Sequence, residues 1–322
     1  MLLYVLFAIG FLLLIKGADW LVSGASSIAK RYGLSDMVVG LTIVSFGTSM
    51  PELIVNVLAS LQGQPELAIG NVFGSNVANL LLILGVTALI CPLPLKRSTI
   101  LTEIPFSLIA TLLVGFLANA TLLNTNKDSL YISRSDGAIL LLFFALFMVY
   151  IYNVAKTNKE DMTAEENGKP LMPMGKAILF ILLGVGSLFL GGKWVVDGAV
   201  HIAQAFGLSE SFIGLTVVAV GTSLPELVTS AMAAYRRNID IAVGNVVGSN
   251  IFNLLWILGL SAVISPLPFN QMNNADIVMM ILASTMLILA MPIGKRNAID
   301  RLNGIIFLLV YFSYITFLVM RG

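Results

Sequence analysis

Apolar runs long enough to cross a bilayer follow one another along almost the whole chain, parted by short clusters of charge, proline and glycine. About 20 consecutive apolar residues carry a helix across the hydrocarbon layer. Inside that layer the backbone must satisfy its own amides, which leaves helices or a closed barrel; unbroken rather than alternating apolar runs select helices. Breaking the chain at its polar punctuation predicts spans near 2–29, 34–62, 66–91, 99–119, 136–154, 176–204, 209–235, 239–265, 274–293 and 303–320. The expected fold is an all-α membrane protein with ten transmembrane helices. Several runs exceed the length a crossing needs, so tilted or interrupted helices are expected.

Composition agrees. Hydrophobic residues make up 58% of the 322 positions, charged residues 11%, and the mean hydropathy is +0.95. A water-soluble protein of this size could not cover its surface with so few charges. The net charge of +1 carries no information about partners, because charge here is sorted by side of the membrane. The lipid bilayer is the expected surrounding, no nucleic-acid partner is expected, and oligomeric state is not legible. Cys91 stands alone, which excludes a disulfide framework and a Cys-rich metal site. Residues 1–15 lack a basic leader and a small-residue cleavage site, so they read as the start of the first span. No cofactor is expected.

The polar residues that interrupt the apolar pattern occur twice. Gly40 to Gly85 aligns without a gap to Gly214 to Gly259, and 24 of the 46 positions are identical. The unchanged set is Gly-Thr-Ser, Pro-Glu, Gly-Asn, and Gly-Ser-Asn followed by a further Asn. The repeat extends upstream, where Gly17, Trp20, Val22, Gly24, Ala25, Gly33, Leu34 and Ser35 recur as Gly191, Trp194, Val196, Gly198, Ala199, Gly207, Leu208 and Ser209. Each half holds five spans, an odd number, so the second must enter the membrane in the opposite sense: two inverted five-helix repeats. The halves are 1–155 and 176–322, joined by a charged linker, 156–175.

Loop charges give the orientation. Assigning loops alternately to two sides puts Lys30, Arg31, Lys96, Arg97, Lys156, Lys159, Lys169, Lys176, Arg236, Arg237, Lys295, Arg296 and Arg301 on one side. Only Lys127, Arg134 and Arg321 fall on the other. Basic residues collect in cytoplasmic loops, so both termini are expected outside and the linker in the cytoplasm. At this length, and without an EF-hand pattern, the acidic linker reads as a solvated tether.

Pro51 and Pro225 sit inside helical runs. Each lacks an N–H and leaves the carbonyl of Gly47 or Gly221 without a helical donor, and each pushes its predecessor, Met50 or Leu224, away from helical geometry. Both helices should break at mid-membrane. Directly after each proline lies Glu52 or Glu226. A charge at that depth costs about 2.5–3.5 kcal/mol on insertion scales, and Arg236 and Arg237 lie too far along to pair with it. The carboxylates must be protonated or met by an outside cation. Thr48 and Ser49 share a face with Glu52, as Thr222 and Ser223 do with Glu226. Asn71, Ser75 and Asn79 form a polar stripe in the next span, matched by Asn245, Ser249 and Asn253, although helix-to-helix bonding accounts for part of it, chiefly Asn71 and Asn245. Carboxylates, hydroxyls and amide oxygens are hard ligands that suit calcium, magnesium or sodium.

At these residues the chain resembles the sodium/calcium exchanger family, within the wider cation/calcium exchanger superfamily. GTSMPE with GNVFGSNVAN, and GTSLPE with GNVVGSNIFN, look like that family's two α-repeats. The resemblance implies an antiporter of the cell (inner) membrane that exchanges calcium for sodium by alternating access. It implies Glu52 and Glu226 as the central calcium-binding carboxylates. Thr48, Ser49, Ser75, Asn79, Thr222, Ser223, Ser249 and Asn253 would share calcium and sodium, and backbone carbonyls near Ser45 and Ala219 would complete the cage. Several relatives carry Asp at the position of Asn79 or Asn253. Asn at both leaves two formal charges, argues for potassium independence and leaves the stoichiometry open.

The remaining charged residues carry less. Lys16, Asp19, Lys193 and Asp197 read as snorkelling or locally paired, His201 as structural near a membrane edge, and Glu103 and Asp136 as facing headgroups. An intramembrane protease would need a nucleophile with its base or a zinc motif, and neither is present. A channel would usually be built from identical subunits around an axis. A calcium/proton antiporter on the same scaffold is the nearest alternative.

Overall fold

The computed structural model describes residues 2–120, 130–157, 165–166, 169–170, 172–206, 219–290 and 298–321. Eight helices are long and apolar enough to cross a membrane, and a bent pair makes a ninth, among the described residues. The chain is a multi-pass membrane protein. Helix α1 is Leu2–Tyr32. The bent pair is α2, Asp36–Thr48, and α3, Met50–Leu61. Helix α4 runs as Pro65–Val77, a π-helical stretch Ala78–Ile83, and Leu84–Ile90. Then come α5, Thr99–Asn119; α6, Arg134–Thr157; and α7, Met174–Ala205. A short α8, Ala219–Thr222, leads into α9, Leu224–Tyr235. Helix α10 mirrors α4, with Ile239–Ile251, a π-helical Phe252–Ile257, and Leu258–Ile264. Helices α11, Asn274–Ala290, and α12, Arg301–Arg321, complete the chain.

The predicted spans stand close to these helices, and 99–119 coincides with α5. The start of the predicted seventh span and the end of the ninth lie outside the described residues, as does most of the linker, including Lys159, Glu160 and Asp161. Within the linker Glu165–Glu166 pairs with Lys169–Pro170.

Helices α4 and α10 are the most enclosed, and α6 lies at the periphery. Both sides of each touch protein over most of their length, so their polar stripes face other helices and not lipid. Helices α1 and α7 lie against one another along their lengths. A Cβ added at Gly17 would fall 2.9 Å from the Gly184 carbonyl, and one at Gly10 2.9 Å from that of Gly191. No side chain would fit, and close backbone approach is what small residues provide between membrane helices. Two short ribbons join loops from the two halves: Leu93–Pro94 pairs with Ala298–Ile299, and Leu130–Ile132 with Leu267–Phe269.

Candidate functional site

The helix breaks fall one residue earlier than proline chemistry alone suggests. Ser49 (φ −84°, ψ 6°) and Ser223 (φ −87°, ψ 5°) leave helical geometry, while Met50 and Leu224 open the next helices. Proline fits the first turn of a helix, where its missing N–H is not needed, so each Pro-Glu starts a helix instead of kinking one. Helices α2 and α3 meet at a 48° bend. Gly47 and Gly221 serve close packing here: a Cβ would reach Val185 at 2.7 Å and would collide with Val196, both on α7.

These breaks put Glu52 in the first turn of α3 and Glu226 in the first turn of α9, each 1% exposed. Ser49, three residues before Glu52, hydrogen-bonds Glu226, which draws the two helix starts together. Helix N-termini favour negative charge, which offsets part of the cost of burial. No basic residue pairs with either carboxylate among the described residues. Arg236 is instead engaged by Asp19 and Ser23 of α1, which also shows Asp19 to be locally paired.

The halves interlock through this site. Ser49, on the first-half break, donates to Glu226 Oε1 at 3.0 Å, and Ser249 lies 3.5 Å from the same oxygen. Thr48 donates to Asn245 Oδ1 at 3.0 Å and sits 3.5 Å from Ser249 Oγ. Thr222 donates to Asn71 Oδ1 at 3.2 Å. Asn79 and Asn253 enter at the start of the two π-helical stretches, where the wider turn shifts the facing of everything after it. Asn79 Nδ2 donates to Asn250 Oδ1 at 3.0 Å, and Asn253 Nδ2 to Asn76 Oδ1 at 3.3 Å.

Six buried oxygens of this group have no hydrogen-bond partner: Glu52 Oε2, Glu226 Oε2, Ser75 Oγ, Asn79 Oδ1, Ser223 Oγ and Asn253 Oδ1. Buried polar atoms are nearly always paired, and each one left over costs about 1–3 kcal/mol. These six oxygens can take a cation as their missing partner, whereas other unpartnered buried atoms, such as those of Thr99, Ser107, Ser261 and Ser284, belong to no such set. The Ser45 carbonyl accepts the Ser49 N–H at 2.9 Å and Thr48 Oγ1 at 3.3 Å. For Ala219 only the backbone is described, and Ser223 N reaches past it to the Val220 carbonyl at 3.1 Å.

Four supporting residues were not singled out from sequence: Asn76, Asn250, Asn56 and Ser230. Asn76 and Asn250 were in view as the last residue of the recurring Gly-Ser-Asn. Glu103 is a correction. It is 3% exposed and accepts the Tyr150 hydroxyl at 2.7 Å, because α6 covers the start of α5 and shields it from headgroups. Asp136, half-buried at its span end, caps its own helix start, accepting from Ser133 N at 2.8 Å and Ser133 Oγ at 2.6 Å.

The sodium/calcium exchanger protein family matches residues 2–153 and 176–320 of this chain. The chain belongs to that family. It is therefore a transporter and not an enzyme. Among relatives, the inner membrane protein YrbG of Escherichia coli is 38% identical over 267 residues, spanning 81% of this chain and 79% of that protein. The sodium/calcium exchanger MaX1 of Methanosarcina acetivorans is 32% identical over 343 residues, 98% of each chain. A solved structure of the sodium-calcium exchanger NCX_Mj superposes with a TM-score of 0.79 at 33% identity, covering 98% of both chains.

Proposed function

We propose that this exchanger moves calcium against sodium by alternating access, with the ions held between Glu52 and Glu226. The ligands are Thr48, Ser49, Ser75, Asn79, Thr222, Ser223, Ser249 and Asn253, with backbone carbonyls near Ser45 and Ala219. The observation that carries this reading is the pair of buried carboxylates, each with a bare oxygen and neither with a base. One divalent ion neutralises both charges, and a small set of sodium ions on the same oxygens does so too. The two loads compete for one cage. Left empty, the cage holds two unpaired charges in low dielectric, on the order of several kcal/mol each, which disfavours passage between faces. Two acids and two amides make the site independent of potassium.

Sodium is favoured over protons by the neutral ligands. Protonating Glu52 and Glu226 would satisfy the carboxylates but leave the Ser75, Ser223, Asn79 and Asn253 oxygens bare. A bound metal ion satisfies all of them at once.

In the membrane we read ten spans, counting α2–α3 and α8–α9 as one each. They form two inverted halves, 1–155 and 176–322, around a cytoplasmic linker at 156–175, with both termini outside the cell (inner) membrane. The ribbons support this sidedness: each joins two loops that alternation assigns to the same face. The exchange reading is tested by calcium uptake into vesicles under a sodium gradient and, separately, a pH gradient. Uptake should follow the sodium gradient alone. Uptake driven by the pH gradient with no response to sodium would make the protein a calcium/proton antiporter.

A further inference from the structure

We propose that Asn76 and Asn250 are positioning residues that decide which end of the Asn253 and Asn79 amides faces the ion. The proposal rests on the cage above and adds two residues that touch no ion themselves.

A primary amide ends in an acceptor oxygen and a donor NH₂ of nearly equal size. A cation needs the oxygen. The torsion that exchanges the two ends is soft, so the partners on the far side make the choice. Here they make it the same way twice. Asn79 of α4 gives its NH₂ to Asn250 of α10, and Asn253 of α10 gives its NH₂ to Asn76 of α4. With its partner fixed, flipping either inner amide would set oxygen against oxygen and turn an NH₂ toward the carboxylate cage; the Asn76 NH₂ itself has no partner. All four residues are no more than 1% exposed, so bulk water does not compete for these bonds.

A different amide pair in the same molecule shows what plain helix bonding looks like. Asn119 of α5 and Asn274 of α11 bond reciprocally, at 2.7 and 3.0 Å, each amide using both ends. The Asn79–Asn250 and Asn253–Asn76 pairs are one-way. They forgo the second bond, and in both the atom left bare on the inner amide is its oxygen. Two pairs related by the repeat and sharing one sense are accounted for by orientation of a ligand, which reciprocal bonding would defeat.

The test is a cycle read by equilibrium calcium binding to the purified full-length protein in detergent. Asn76→Leu removes the acceptor that holds Asn253, and calcium Kd should rise about tenfold. In an Asn253→Asp background the same substitution should shift Kd by less than about twofold, because a carboxylate presents an oxygen whichever way it turns. Equal losses in both backgrounds would mean that Asn76 merely supports the helices, and would overturn the proposal. Asn253→Ala separates the two layers: unchanged Kd would remove Asn253 from the cage, whereas a raised Kd with an indifferent Asn76→Leu would sink the positioning role alone. If Asn76→Leu does not elute as a folded species on gel filtration, Asn250→Leu with Asn79→Asp runs the same cycle on the other pair, with the same two readings.

Discussion

The two halves of the site share a backbone plan, yet they hold their glutamates differently. In the second half Asn245 is fully used: it accepts from Thr48 at 3.0 Å, and its NH₂ serves Ser230 Oγ at 2.9 Å and the Glu226 carbonyl at 3.4 Å. In the first half the residue matching Ser230 is Asn56, long enough to reach back along its own helix to the Glu52 carbonyl at 2.7 Å. That displaces Asn71, whose NH₂ is left without a partner. The carboxylates differ too. Glu226 accepts from Ser49 and lies within reach of Ser249, whereas no side chain donates to Glu52 among the described residues. Glu226 is held by side chains and Glu52 by none among the described residues, so an inverted repeat gives its two glutamates asymmetric supports.

This contrast can be broken in several places. Ser49→Ala removes the donor that fixes Glu226. A hydrogen bond to a charged group is worth about 1.5–3 kcal/mol, so calcium Kd should weaken about tenfold or more in titration calorimetry. Ser223→Ala, the matching change in the second half, removes a hydroxyl that donates to no carboxylate and should weaken binding clearly less. Next in size, Asn245→Leu strands Thr48, Ser230 and the Glu226 carbonyl, and should lower stability by about 1–3 kcal/mol in thermal unfolding in detergent. Asn71→Leu, in the half where that amide is only partly engaged, should cost clearly less; equal costs would erase the asymmetry. Ser230→Asn, which copies the first-half residue into the second, adds bulk to a buried position and should cost about 1–3 kcal/mol. The smallest effect belongs to Lys96→Gln. It removes a 2.7 Å ion pair to Asp240 that joins the halves, but the lysine side chain is 51% exposed, so the loss should stay below about 1 kcal/mol.

Much of this was legible in the chain. Pro51-Glu52 and Pro225-Glu226 announce a broken helix carrying an acid, because nothing else explains both in an apolar run. The stripe of Asn71, Ser75 and Asn79 appears at helical spacing. What stayed hidden depends on geometry that spacing does not carry. The break sits at Ser49 and Ser223 because proline prefers to begin a helix. Asn76 and Asn250 lie one residue off the stripe, so regular helical spacing does not point to them, but the π-helical turns at Ala78 and Phe252 let α4 and α10 exchange amides across their contact. The burial of Glu103 was invisible because only packing by α6 reveals its tyrosine partner.

The central claim is that Glu52 and Glu226 together form one cage for a transported metal ion. Sodium-gradient-driven calcium uptake by vesicles carrying Glu52→Gln or Glu226→Gln, each verified as folded, tests it most directly. Uptake should fall to background in both variants, since either change removes half the charge that calcium must find. Normal uptake by either variant would contradict the account.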